Sequence, residues 1–309
     1  MIALPLMAVA DDFPAWAYPV NPPANGAPST DDGLSRHVPD STAAFTRKEI
    51  SAITVQVPDW HPEEHAPMPP IVANGRAPAV LACGYCHLPT GAGRPENTSI
   101  SGLSANYIRQ QMHAFKNGDR PGSEPKRAPQ TNMIALARGI TDAEIESSAL
   151  YFAALKPASF VKVIEASTVP KTIVAGWTLT FAPEGGTEPL NHRIIEMPEE
   201  FQRFENRDSR TPYVAYVPIG SIKKGGELVS SGFGDKALQC ATCHGPDLRG
   251  LADVPRLMGR SPSYLFRQLY DLKNGTRKGG AAELMKPIVA KLDSDDMIAI
   301  AAYLASCPP

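Results

Sequence analysis

This chain of 309 residues has no apolar run approaching the ~18 residues that a membrane-crossing helix needs. It has no basic excess either. Thirty lysines and arginines face 32 aspartates and glutamates, a formal net charge of −2. That balance gives no footing for nucleic acid, and no block of like charge marks a charged tail. The amino terminus, MIALPLMAVADD, is short and apolar and closes on Ala8-Val9-Ala10, a small-x-small cleavage pattern. It lacks the basic stretch that should precede such a pattern. Residues 1–10 are expected to be the tail of an export signal. Proline runs the other way. Its 31 copies are about twice the usual share of ~5%, so much of the chain should be loop or extended. At ~100–200 residues per domain, the length accommodates two or three domains.

Cysteine is scarce, with five copies at 83, 86, 240, 243 and 307. Four of them form two Cys-x-x-Cys pairs, each followed at once by histidine: CGYCH at 83–87 and CATCH at 240–244. Three chemistries use such residues. A zinc ion takes two pairs with histidines. A thioredoxin-like site takes one pair beside a βαβ unit. A c-type haem takes Cys-x-x-Cys-His, with two thioethers to the porphyrin and the histidine on iron. The separation of the pairs, and a histidine at the same place in both, weigh against one shared zinc. No alternation of strands and helices surrounds either pair, which weighs against the redox motif.

A longer repeat favours haem. Laying each residue over the one 157 positions later, from Cys83 to Arg120, needs no gap. Pro89, Gly93, Gly102, Ser104, Tyr107, Gln111, Asn117, Gly118 and Arg120 all meet an identical residue, besides the motif itself. Five extra residues then intervene in the first copy, and the register resumes at 152 positions, with Met133 over Met285. Each copy is a unit that should fold around its own cofactor. Ser104 and Ser261 are candidate caps of helices that stop at Gly118 and Gly275. In these, Ile108, Met112 and Phe115, and Leu265, Leu269 and Leu272, recur at helical spacing. The last helix of each unit should begin after Thr141 or Asp293, where a cap former is followed by early acids. Its buried face is read as Ile145, Leu150 and Phe152 in one copy and Met297, Ile300, Ala301 and Leu304 in the other.

These residues resemble the class I cytochromes c, and in particular the tandem diheme members built from two such domains. The C-terminal AAYL (301–304) and the looser ALYF (149–152) add to the likeness, which spans about 71–157 and 219–309. The resemblance implies two covalently bound haem c groups, attached through Cys83, Cys86, Cys240 and Cys243. It implies His87 and His244 as proximal iron ligands and a distal methionine from a loop before the last helix. Met133 and Met285 match that methionine by position in the repeat; otherwise each is a gap-filling core residue. Met112 and Met258 are rivals without a methionine counterpart, and His113 is read as an ordinary helix residue. In the family the proximal imidazole donates its other N–H to a backbone carbonyl, often of proline. Pro255 fits that role, whereas the first copy has Thr98. Tyr107, Arg120, Tyr264 and Arg277 repeat and are candidates to bond haem propionates; the alternative is packing at a solvated helix end.

The expected fold class is mainly α: a proline-rich extension at 11–70, one cytochrome c domain at 71–157, an inter-domain arm, partly β, at 158–218, and a second domain at 219–309. The extension is read as an arm along a domain surface. Prolines flanking His61 and His65 argue against a metal site there with Glu63 and Glu64. WTLTF, RIIEMP and YVAYVP are short β-prone runs. Arg203, Arg207 and Arg210 could pair with acids or reach a haem edge, with solvated surface as the default, and Cys307 is read as a free thiol facing its core. Two strong axial ligands leave iron no open position, so the function expected first is single-electron transfer in the periplasm. Its partners would be redox proteins: a dehydrogenase, an oxidase or a quinol-linked membrane complex. A cytochrome subunit of a periplasmic dehydrogenase or oxidase complex comes second. A haem enzyme, a peroxidase or a thiosulfate-oxidising cytochrome, comes third and would need one distal methionine missing. The two haems are expected to be inequivalent, with the 158–218 arm packed across both domains.

Overall fold

The computed structural model describes residues 13–23, 31–159, 161–232 and 238–309. The expected export remnant at 1–10 lies outside the described residues. The chain is mainly helical, and both copies of the repeat use the same scheme. Each has a short helix carrying the cysteine motif (Cys83–His87; Ala241–His244), a long helix (Ala105–Lys116; Pro262–Lys273) and a closing helix (Asp142–Ala154; Ser294–Ser306). Local chemistry starts the long elements. Ser104 Oγ accepts from Tyr107 N at 3.0 Å, and Ser261 Oγ accepts from Tyr264 N at 3.2 Å. Thr141 with Glu144, and Asp293 with Asp296, form reciprocal capping boxes. Each such cap is worth about 1 kcal/mol.

Apolar faces of these helices close two separate cores. Val72, Ile108, Phe115, Ile145 and Phe152 lie in one, and Leu265, Phe266, Met297, Ile300 and Leu304 in the other. One residue of the expected face is misplaced: Leu150 is 55% exposed, and Ala149 is buried in its stead. Ile145, Ala149 and Phe152 follow the i, i+4, i+7 stripe, from which Leu150 is displaced by about a third of a turn. The sequence reading also passed over the Ser221–Ser231 helix, which packs across the Ser294–Ser306 helix. Two adjacent glycines in SIKKGGELVSS look like helix breakers. Here they are the crossing point, because a Cβ on Gly225 would stand 2.0 Å from the Ala299 carbonyl oxygen.

Between the repeats lies a small β-unit with its own core of Val169, Leu190, Ile195, Met197 and Val214. Its three-stranded sheet pairs Val161–Glu165 in parallel with Tyr213–Val217, which also pairs antiparallel with Ile195–Pro198. Two antiparallel ribbons accompany it, Thr168–Pro170 with Thr187–Pro189 and Thr172–Ala175 with Thr178–Phe181. The unit bonds to both repeats. Glu196 accepts from Ser261 Oγ at 2.7 Å and from Ser263 N at 3.1 Å in the second repeat. Arg94 of the first repeat lies over the Phe204 ring at 3.6 Å.

The proline-rich extension touches more than one surface. Trp60 Nε1 donates to the Asn206 carbonyl at 2.7 Å, and His61 Nε2 and Asp208 Oδ1 are 3.0 Å apart. Arg210 pairs with Glu63 and Glu64, and Arg203 Nε donates to Asp208 at 2.7 Å. Further upstream, Trp16 packs on Phe266, Tyr18 Oη donates to Asp271 Oδ1 at 2.7 Å, and Arg267 donates to the Ala17 carbonyl at 3.0 Å. All three arginines thus have partners: Arg203 within the β-unit, Arg210 on the extension, and Arg207 on Tyr85 of the first cysteine motif.

Candidate functional site

The first cysteine motif is a five-residue helix pressed against the Pro70–Ala73 helix. Gly84 is required there, since its Cβ would come 2.9 Å from the Val72 carbonyl oxygen. His87 is buried, and its Nδ1 lies 2.9 Å from the Thr98 carbonyl. His244 is equally buried, with Nδ1 2.8 Å from the Pro255 carbonyl. In both rings burial lowers the pKa more than the carbonyl bond raises it. A neutral imidazole that donates from Nδ1 carries its free lone pair on Nε2, the form that ligates a metal. A repeated glycine makes this possible. Gly93 has φ +71°, and its Cβ would lie 2.5 Å from the Thr98 oxygen; Gly250 has φ +98°, and its Cβ would lie 2.9 Å from the Val254 oxygen. Any side chain at these positions would push away the loop segment whose carbonyl orients the histidine.

Cys83, Cys86, His87, Met112 and Met133 line one cleft in the first repeat. Met133 therefore meets the motif, although it sits within the twelve-residue Ala128–Gly139 helix and not in a loop. Met112 is the more buried of the two methionines. In the second repeat Cys240, Met258 and Met285 flank the same core. Met285 ends a 3₁₀ turn, Gly280–Met285. Burial pushes the Cys83 thiol up to about 12 and the Cys240 thiol up to about 11. Cys307 is free. Among the described residues no group of three or more His, Cys, Asp or Glu side chains is arranged to hold a metal ion by itself. His61 and His65 are engaged with Asp208 and Asp59.

The repeated tyrosines, glutamines and arginines face one another across the two repeats. Arg120 donates to Gln111 and to Gln268, both at 2.9 Å. Arg277 donates to Gln268 at 2.9 Å, to Gln111 at 3.2 Å and to Tyr107 Oη at 3.1 Å. Tyr264 interacts with Arg120 in the reciprocal sense. The two copies thus exchange equivalent residues about a pseudo-two-fold axis. A cleft opens from this knot toward His87, and Arg127, Arg260 and Arg267 line it as well.

Arg120, Arg127, Arg260 and Arg267 share that cleft with Glu96, Glu124 and Asp271. Burial, with Arg267 close by, pulls Arg127 down to about 9, and burial with Arg277 close by lowers Arg120. Burial opposes ionisation of Tyr264, yet Arg260, Arg120 and Arg277 outweigh it and bring the phenol down to about 7. The Nε groups of Arg127, Arg260 and Arg277 are buried without a partner. Buried guanidinium N–H groups are costly when unpaired. A ligand bearing carboxylates would satisfy them, and haem propionates are such carboxylates. The donor set of the first repeat therefore fits haem on three points: the paired Cys83 and Cys86 thiols on one cleft, a neutral His87 imidazole beside them, and the unpartnered Nε groups of Arg127 and Arg260 in the adjoining cleft. The sequence reading missed Arg127, Arg260 and Arg267. None has an arginine counterpart in the other copy, so the repeat carried no signal for them.

Residues 229–308 match the family described as cytochrome c. Over 73 residues the chain is 44% identical to cytochrome c-554(548) of Halomonas halodenitrificans, covering 23% of this chain and 88% of that protein. Over 237 residues it is 26% identical to cytochrome c4 of Azotobacter vinelandii, covering 75% of this chain and 87% of that one. Among solved structures, a thiosulfate dehydrogenase from Marichromatium purpuratum shares the fold, with a TM-score of 0.51 at 24% identity over 76% of this chain. This chain spans 38% of the length of that structure.

Proposed function

This chain belongs to the cytochrome c family, and from that premise we propose that it is a diheme electron carrier whose repeats, 71–157 and 219–309, each bind one haem c covalently. Bound haem supplies a one-electron couple at iron. Cys83 with Cys86, and Cys240 with Cys243, hold it through thioethers. His87 and His244 would ligate its iron through Nε2, and Met133 and Met285 would supply the second protein ligand in each repeat. A histidine and a methionine together would leave the iron suited to passing electrons, and the methionine would favour a high potential. Arg120, Arg277, Tyr107 and Tyr264 serve two roles, tying the repeats together and offering donors to propionates at their junction.

The observation that carries this reading is duplication in detail. Each motif histidine bonds a carbonyl eleven residues on, through Thr98 O and Pro255 O, beneath a glycine at the same place. Two haems should stay with the protein through acid–acetone extraction. The oxidised protein should show the weak red absorption of methionine bound to ferric iron. Haem passing into the organic layer would overturn the assignment. Covalent attachment of this kind takes place outside the cytoplasmic membrane in bacteria, so the periplasm is the proposed compartment. No helix among the described residues is long and apolar enough to cross a membrane. The partners are redox proteins.

One observation favours a second reading, a cytochrome subunit of a dehydrogenase or oxidase complex. About a quarter of this chain lies outside the stretch matched to the Azotobacter vinelandii cytochrome c4. The extension and the β-unit are locked together through Trp60, His61 and Asp208 into a surface that a minimal carrier does not need. Purification from the native host with a larger subunit attached would select this reading.

A further inference from the structure

The second repeat holds its proximal carbonyl with proline, whose ring fixes φ. The oxygen 2.8 Å from His244 Nδ1 therefore stands on stiff backbone. The first repeat has Thr98 at that place, with no ring. Its stiffness comes from across the interface. Arg260 Nη2 donates to the Thr98 hydroxyl at 2.5 Å and to the Ser99 carbonyl at 2.9 Å. Arg256 Nη2 donates to Ser99 Oγ at 3.0 Å. The Thr98 hydroxyl in turn donates to the Ser99 carbonyl at 3.1 Å. Both arginines are 3% exposed. Neither has a counterpart in the first repeat, where Leu103 stands at the place of Arg260 and Ser99 at the place of Arg256. A guanidinium is a rigid planar fork, and bonds from a charged donor are about twice as strong as neutral ones.

We infer that Arg260 is a positioning residue for the first haem. It clamps Thr98 from the second repeat, sets the strength of the bond between His87 Nδ1–H and the Thr98 carbonyl, and through that bond sets the potential of the first haem. The inference rests on the reading that His87 ligates the first iron. A proximal imidazole that donates to a well-placed carbonyl is a more basic ligand, and a more basic ligand favours the oxidised metal. Loosening the carbonyl weakens the bond and raises the potential. The two repeats thus reach one geometry by different means, a ring within the chain in one and an arginine from the neighbouring domain in the other. The first haem is consequently sensitive to how the domains are seated, whereas the second carries its constraint within itself.

The test is a redox titration of the full two-haem protein, with the midpoints assigned from the Met133→Ala and Met285→Ala variants. Thr98→Val keeps the carbonyl and the side-chain volume and changes no charge. Arg260→Lys keeps the charge and loses the fork. Each should raise the first midpoint and leave the second in place. In the reduced protein each should also speed solvent exchange of the His87 Nδ1 proton. Thr98→Pro introduced into Arg260→Lys should bring the first midpoint back toward the parent value. Both midpoints unmoved, or both moved together, would overturn the inference, and so would a lowered melting temperature with unchanged potentials. Failure of the underlying ligand assignment gives a different result: His87→Ala would then leave the spectrum of the first haem unaltered.

Discussion

Gly225 lies where the Ser221–Ser231 helix crosses the Ser294–Ser306 helix. A Cβ built there would stand 2.0 Å from Ala299 O, 2.6 Å from Ala299 C and 2.7 Å from Tyr303 Cβ. Ordinary contact begins near 3.4 Å, so Gly225→Ala forces the helices apart by over an ångström, against backbone that cannot rotate away. A gap of 0.5–1 Å already forfeits about a quarter to a half of the dispersion energy of each contact. The substitution belongs at the upper end of the overpacking range, about 3 kcal/mol. Alanine recovers about 1 kcal/mol of helix propensity over glycine. The expected net loss is about 2 kcal/mol, roughly a thirtyfold shift in the unfolding equilibrium. Gly226→Ala is the internal control. Its Cβ would meet only the Tyr303 ring, at 3.2 Å, and a ring edge can give. With the same gain in helix propensity set against a small displacement of the ring, that variant should be as stable as the parent or more stable by up to about 1 kcal/mol. Guanidinium unfolding of the haem-loaded protein, followed by far-ultraviolet circular dichroism and by haem absorbance, measures both. Equal stability of Gly225→Ala and Gly226→Ala would refute the reasoning.

Met285→Ala should lower the potential of the second haem and admit cyanide or carbon monoxide, since the axial ligand is a main lever on potential; an unchanged spectrum and potential would pass the role to Met258. Arg207 lies 3.4 Å over the Tyr85 ring inside the first motif and donates to the Tyr85 carbonyl at 2.7 Å. A fixed cation there favours the reduced state, so Arg207→Gln should lower the first midpoint and spare the second. His65 should make the extension pH-sensitive. Its bond to Asp59 at 3.2 Å raises its pKa, against burial, with help from the Ala66 carbonyl and Glu64. A folded value above the unfolded value of about 6.5 means that the contribution is complete below that pH and is lost as pH rises through the folded value. Hydrogen exchange at 59–66, corrected for its intrinsic pH dependence, should therefore show protection falling on the alkaline side in the parent and staying flat in His65→Gln. Because the β-unit bonds both repeats, proteolysis within 158–218 should be slow in the folded protein, and a titration should resolve two separate one-electron steps.

Much of the candidate site was legible because its chemistry is local. Cysteines that share a porphyrin and the histidine on its iron fit within five residues, so the motif is complete in the sequence. Helix caps likewise close within four residues, which is why Ser104, Ser261, Thr141 and Asp293 could be placed in advance. Where a reading depended on which face of an element meets which neighbour, it was weaker. Leu150 was put on the wrong side of its helix, Met133 was expected in a loop, and the GG pair concealed a helix.

By itself the sequence determined that there are two equivalent units, where each motif and each long helix begins, and that glycine recurs at 93 and 250. Identity at matched positions implies matched backbone environments. It says nothing about how the two units are seated, and that was decided by the tertiary structure alone. Tyr107, Gln111 and Arg120 meet Tyr264, Gln268 and Arg277 because the interface is self-complementary, with each arginine reaching an acceptor on either side. Arg256 and Arg260 hold Thr98 and Ser99, and Arg207 covers Tyr85, across separations of more than a hundred residues. Such contacts form only once distant segments pack together, and no spacing along the chain encodes them.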